Sequence, residues 1–142
     1  MQSLIASIMF ADLIGSSKVK NDKLKAILTE KFERYKKVFL NNKNHFFYKG
    51  LGDGALICSF DHLDLAEIAL KIRDDIKNTD WKKLGFNENI GIRIGINLSK
   101  INLKYENNKV SDVFGKGVDT AARIEPIAEE NSVFISKRFY DF

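Results

Sequence analysis

Three features of the 142-residue sequence predict an α/β protein of the α+β kind, in which helices cover a mainly antiparallel sheet. Isoleucines alternate with small or charged residues through Ile90-Gly91-Ile92-Arg93-Ile94-Gly95-Ile96, the period of a strand whose two faces differ. Leu24, Ile27, Leu28, Phe32, Tyr35 and Phe39 recur at helical spacing instead. Between these segments, residues 46–60 read F-F-Y-K-G-L-G-D-G-A-L-I-C-S-F, two strands joined by a Gly-rich turn with Asp53 at its tip. A hydrophobic fraction of 44%, eleven phenylalanines and a single proline argue for one ordered domain over residues 1–142 rather than a linker or a disordered tail.

Taken in order, residues 3–11 form a first strand apolar enough for the middle of a sheet, running straight into Asp12-Leu13-Ile14-Gly15-Ser16-Ser17. The hydroxyls of Ser16 or Ser17 are expected to cap the first helix, and free backbone N–H groups there offer a seat for phosphate. Residues 41–44 are a polar break before the hairpin. Asp61 caps a second helix, with Leu63, Ala66, Ala69, Leu70, Arg73 and Ile76 on one face, and Trp81 and Phe86 anchor the polar segment that follows. Arg93 reads as a half-buried charge partner or an interface residue. Ile101, Leu103 and Tyr105 alternate before a turn at residues 106–109. A helix over residues 117–129 is expected to kink or end at Pro126, and Val133-Phe134-Ile135 forms a last short strand. This order resembles a ferredoxin-like layer elaborated at its C-terminal side. Helices would cover one face of the sheet, and a second copy of the chain would cover the other.

The charge of +4, from 23 basic and 19 acidic residues of interspersed sign, suits a protein that handles phosphates but does not point to nucleic acid. No stretch is long and apolar enough to cross a membrane, and the first residues lack the basic region of a signal peptide. Cys58, the one cysteine, lies in an apolar run as a buried thiol, and a reducing cytoplasm is the expected setting.

Asp12, at the end of a buried strand, needs a partner, and a cation can serve. Asp53 alone would be read as a turn residue that caps its own backbone. If the first strand lies beside the hairpin, the two carboxylates approach and repel each other, and a divalent cation relieves the repulsion. Hard oxygen donors favour Mg2+ or Mn2+ over zinc, for which the chain offers no Cys/His cluster; His45 and His62 are isolated and structural or exposed. Together with residues 14–17, these aspartates suggest a metal-triphosphate site.

The segments F-A-D-L-I-G-S-S, K-G-L-G-D-G-A-L-I-C-S-F, I-R-I-G-I-N and D-V-F-G-K-G-V-D-T-A-A-R-I-E, ending in V-F-I-S, resemble the class III nucleotidyl cyclase catalytic domain in order and spacing over essentially the whole chain. The resemblance implies a cyclase fold, conversion of a nucleoside triphosphate to its 3',5'-cyclic monophosphate and pyrophosphate, and a homodimer with composite sites at its interface. It implies two Mg2+ or Mn2+ ions per site, held by Asp12, Asp53 and the carbonyl of Leu13, with Ile14, Gly15, Ser16 and Ser17 cradling phosphates. Arg123 matches the arginine that the partner subunit provides to the α-phosphoryl oxygens, and Lys49 and Asp112 match a pair that selects adenine. ATP is thus the favoured substrate. Asp119 stands where the family usually has a ribose-positioning asparagine, Asn97 and Ser99 replace a common His and Gly, and the usual C-terminal strands with a phosphate-binding lysine have no counterpart. A C-terminally shortened fold is therefore expected. Two alternatives stay open: a bacterial pyrimidine cyclase making cyclic UMP or cyclic CMP in defence against phage, and a weak or inactive homologue that binds nucleotide.

Overall fold

The computed structural model describes residues 2–142. Strand β1 (Gln2–Ile14) is followed by a 3-10 turn (Ser16–Lys18) and helix α1 (Asp22–Leu40). Next come β2 (Phe47–Gly50), β3 (Gly54–Ser59), α2 (His62–Asn78), β4 (Gly91–Glu106) and β5 (Lys109–Phe114). The chain continues through α3 (Lys116–Ile124), a second 3-10 turn (Glu125–Ile127), β6 (Ser132–Ile135) and α4 (Lys137–Asp141). The sheet order is β2-β3-β1-β4-β5, antiparallel throughout, and β6 adds to β4 in parallel. The first four strands with α1 and α2 give the expected ferredoxin-like βαββαβ layer in a mostly antiparallel sheet of six strands.

Alternation along the central strands divides the core. Met9, Ala11 and Leu13 of β1, Ala55 and Ile57 of β3 and Ile92, Ile94 and Ile96 of β4 pack beneath α1 and α2. Ala6 and Ile8, with Leu56, Cys58, Ile101 and Leu103, face the other way. The expectation that only a second chain would cover that face is corrected: α3 lies on it, with Val118 and Ala121 buried in the same cluster. Gly117 of α3 is pressed onto β4 so closely that a Cβ there would come within 2.5 Å of the Ser99 side chain. The helices on the first face are tied together by a buried cation: Lys31 of α1 lies 3.0 Å from Asp75 of α2, and the Tyr35 hydroxyl donates to the same carboxylate.

Several boundaries differ from those expected. β1 continues to Ile14, so Asp12 lies within the strand rather than at its end. Its ladder with β4 is continuous from Gln2↔Leu103 to Ile14↔Gly91, and this pairing carries the strand three residues past the apolar run. α1 is capped by the Asn21 side chain, which accepts from the Lys23 and Leu24 N–H groups, and not by Ser16 or Ser17. The buried face of α2 comprises Leu65, Ile68, Ala69, Ile72 and Ile76 and packs toward β1, β4 and α1; Leu63 and Leu70, read by spacing as part of that face, are exposed. Asp61 does cap α2, accepting from the Asp64 N–H at 3.1 Å. α3 ends at Ile124 because Pro126 enters the following 3-10 turn. Trp81 and Phe86 are buried and meet edge to face, as anchors of the segment between α2 and β4.

Gly54 marks the closest approach between β3 and β1: a Cβ at this position would lie 2.2 Å from the Ala11 carbonyl oxygen. Backbone cannot yield as a flexible side chain can, so Gly54→Ala should push β3 off β1. A loss of about 1–3 kcal/mol in urea unfolding is expected, and an unchanged midpoint would contradict the contact.

Candidate active site

The register sets the site. Asp12 of β1 stands opposite Gly54 of β3 on one side and Arg93 of β4 on the other. The turn between β2 and β3 delivers Asp53 next to it: the Leu13 N–H donates to the Asp53 carbonyl at 2.9 Å, and the Leu51 N–H closes the turn onto the Gly54 carbonyl at 2.9 Å. Gly52 adopts φ +69°, a left-handed conformation that suits glycine at this reversal. The Asp53 carboxylate does not cap its own backbone. It accepts a hydrogen bond from the Ser16 hydroxyl at 2.8 Å, so the loop after β1 orients this acid.

Asp12 and Asp53 are close enough to influence each other. Burial raises the Asp12 carboxyl above its ordinary value, Arg93 draws it back down, Asp53 pushes it up and the Leu13 backbone lowers it. Asp53 is exposed at the rim of the sheet and Asp12 is half-buried on the face shared with α3. Two hard carboxylates, with the adjoining Leu13 carbonyl, fit a Mg2+ or Mn2+ ion whose remaining positions are filled by water and phosphate oxygens. Among the described residues, no group of three or more His, Cys, Asp or Glu side chains could by itself hold a metal. Water or substrate oxygens would complete the shell.

A cleft of about 450 Å³ opens on the α1 side of the same loop, with Ser16, Ser17 and Asp53 in its lining together with Lys20 and Lys25. Asp12 does not line it, in keeping with its position on the opposite face. Gly15, at φ +88°, turns the chain from Ile14 into Ser16 and Ser17. Sequence reasoning did not single out Lys20 and Lys25; their closeness to Ser17 in sequence was the available signal.

The other predicted residues lie on separate elements. Lys49 is exposed on β2, and Asp112 is half-buried on β5, where its Oδ1 accepts the Val113 N–H at 2.9 Å. These strands stand at the two ends of the sheet order, yet the sheet curls enough to bring β2 and β5 into contact. Asp119 and Arg123 are exposed one turn apart on α3. No ion pair among the described residues involves Lys49, Arg123 or Asp119.

Two charged residues outside the predicted set complete the surroundings of Asp12. Arg93 Nε lies 3.3 Å from Glu125 Oε2, but neither atom makes a hydrogen bond, so the pair is ionic without being aligned. Burial raises the Glu125 carboxyl, Asp12 raises it further, and Arg93 lowers it. A charge within an isoleucine strand was the signal for Arg93; nothing in the spacing linked it to Glu125.

A Ser-His-Asp row also occurs, and burial excludes it as a hydrolytic triad. His45 places Nδ1 2.5 Å from Ser59 Oγ and Nε2 2.8 Å from Asp64 Oδ2. Ser59 is wholly buried, however, and its hydroxyl accepts the Asp61 N–H at 2.9 Å, so it braces the start of α2. His45 is therefore structural.

If Asp53 contributes to the raised pKa of Asp12 as the geometry indicates, Asp53→Asn should lower the Asp12 value and Arg93→Gln should raise it. Carboxyl 13C NMR titration measures both shifts, and movement in the opposite sense would disprove the arrangement.

Comparison with known proteins bears on family and fold. The model of the adenylate and guanylate cyclase catalytic domain matches residues 3–142. A protein of Rhizobium meliloti (strain 1021) named "Putative adenylate cyclase 3" is 28% identical over 141 residues, which make up 97% of this chain and 23% of that protein. The chain thus spans less than a quarter of that relative's length. The adenylyl cyclase CyaB from P. aeruginosa superposes with a TM-score of 0.82 at 19% identity, covering 99% of this chain and 80% of that one. The non-canonical dimeric guanylyl cyclase domain of the RhoGC fusion protein from the aquatic fungus Blastocladiella emersonii gives 0.80 at 20% identity, covering 100% and 85%. At such identities the two structures speak for the fold alone. With the family model spanning nearly every residue, the chain belongs to the adenylate and guanylate cyclase catalytic domain family, the class III nucleotidyl cyclases.

Proposed function

We propose that the chain is a metal-dependent adenylate cyclase that converts ATP to 3',5'-cyclic AMP and pyrophosphate, working as a homodimer with composite sites. The observation that supports this reading is the nearness of Asp53 to Asp12, whose carboxyl it pushes up from one residue beyond the Asp12–Gly54 pairing, in a chain of the cyclase family. Asp12, Asp53 and the Leu13 carbonyl would hold two Mg2+ or Mn2+ ions. When bound, such ions supply acidification of the ribose 3'-hydroxyl and neutralisation of the triphosphate. Residues 14–17 offer N–H groups and hydroxyls to phosphate oxygens, and Ser16 keeps the Asp53 carboxylate turned toward the same loop.

Base selection falls to Lys49 as donor and Asp112 as acceptor from the adenine amine. Support comes from the contact between β2 and β5, and from Asp112, which leaves Oδ2 available while Oδ1 takes its neighbour's N–H. Arg123 would stabilise charge on the α-phosphoryl oxygens of the partner's substrate, and Asp119 would hold the ribose there. Both are exposed one turn apart on α3, as a group presented to a second subunit would be. No helix among the described residues is long and apolar enough to cross a membrane.

Turnover of ATP, GTP, CTP and UTP with Mn2+, compared side by side, tests the substrate: ATP should be preferred. Exclusive cyclic UMP or cyclic CMP formation would select the pyrimidine alternative, and binding without pyrophosphate release would select the inactive one. Asp12→Asn and Asp53→Asn should each remove most turnover while leaving the oligomeric state intact.

Subunit mixing tests the composite site. Asp12→Asn and Arg123→Ala proteins, each inactive alone, should regain about a quarter of wild-type activity when mixed equally, because half the dimers then carry one intact site of two. No recovery between two folded, dimeric variants would place Arg123 outside a shared site.

A further inference from the structure

We propose that Glu125 acts as a counter-ion that keeps Arg93 turned away from Asp12, leaving the Asp12 carboxylate free to take a divalent cation. The inference rests on the metal role given to Asp12 above and assigns positioning roles to two residues that otherwise have none.

Arg93 and Asp12 are directly opposed on neighbouring antiparallel strands, a placement that separates Cβ atoms by about 4.5–5.5 Å. A guanidinium can easily span that gap. Yet no Asp12–Arg93 ion pair forms among the described residues; the arginine extends instead to Glu125 Oε2, with Nε at 3.3 Å, and to the Pro126 carbonyl, with Nη1 at 3.5 Å. The Glu125 side chain is only 13% exposed, so its charge is poorly screened by water.

The fold holds Glu125 in this position. A Cβ at Gly95 would lie 2.6 Å from the Glu125 backbone nitrogen, which shows how tightly the turn after α3 is pressed onto β4. Pro126 fixes the turn that follows. Two acids and one base thus share one face of the sheet, and the base is held by the acid that is not on β1. Were the Glu125 charge removed, the nearest anion for Arg93 would be Asp12. An arginine on that carboxylate would offset its charge and occupy its lone pairs, and an incoming cation would first have to displace it.

Binding of Mn2+ alone, without nucleotide, followed by the loss of its free-ion electron paramagnetic resonance signal, reads this effect independently of turnover. Glu125→Gln should weaken Mn2+ binding by about tenfold. The double variant Arg93→Gln/Glu125→Gln should restore it to within about threefold of wild type. A pair serving only as a structural clamp predicts no rescue, so a double variant as weak as Glu125→Gln would overturn the inference, as would undiminished binding by Glu125→Gln. If Glu125→Gln does not fold, Arg93→Gln alone decides: it should bind Mn2+ at least as tightly as wild type, and weaker binding would refute the proposal. Wild-type protein that takes up no Mn2+ would overturn the metal role of Asp12 and this inference together, whereas wild-type uptake with normal binding by Glu125→Gln would overturn this inference alone.

Discussion

Everything at the site depends on β1 being paired along both edges. A strand flanked on each side has its register fixed twice, so a side chain within it cannot slip by one residue without moving its whole apolar set to the wrong face. Asp12 is thereby held on the α3 face, between Gly54 and Arg93, while Met9, Ala11 and Leu13 stay beneath the helices. An ionisable group in the interior of a central strand is costly. Here Arg93 and the Leu13 backbone offset only part of the cost, and burial together with Asp53 still holds the carboxyl above its ordinary value.

The two faces of the sheet are built to different standards. The α1 and α2 side carries a deep apolar layer and an internal Lys31–Asp75–Tyr35 link, with Lys31 also over the Trp81 ring. The other side is covered by a nine-residue helix and a 3-10 turn, and Ile127 beyond that helix is 71% exposed. Asp12, Asp119 and Arg123 lie on this thinner side, whereas Ser16, Ser17 and Asp53 line the cleft that opens toward α1.

Much of this architecture was legible in the chain. Period-two alternation found β4, helical spacing found α1, and three glycines around Asp53 found the hairpin, because each pattern reflects a local rule. Where tertiary contacts decided, local reading fell short. Pairing with β4 extended β1 past Asp12, and the exposed face of α2 was misplaced because Leu63 and Leu70 look apolar without being buried. Ser16 resembled a helix cap, and only the folded hairpin brings an acid within reach of its hydroxyl. The approach of Glu125 to Arg93, across 32 residues, had no signature in composition or spacing, since it arises from how α3 docks at Gly95.

Cys58, in the middle of β3, is fully buried, and burial pushes its thiol well above the usual range. A thiol both protonated and shielded is a poor nucleophile toward maleimides or nitroxide reagents. The native chain is therefore a silent background for site-directed labelling: a cysteine introduced at an exposed position on α3 would be the one reactive sulfur per subunit, and distances between labels could be measured without first removing the natural residue.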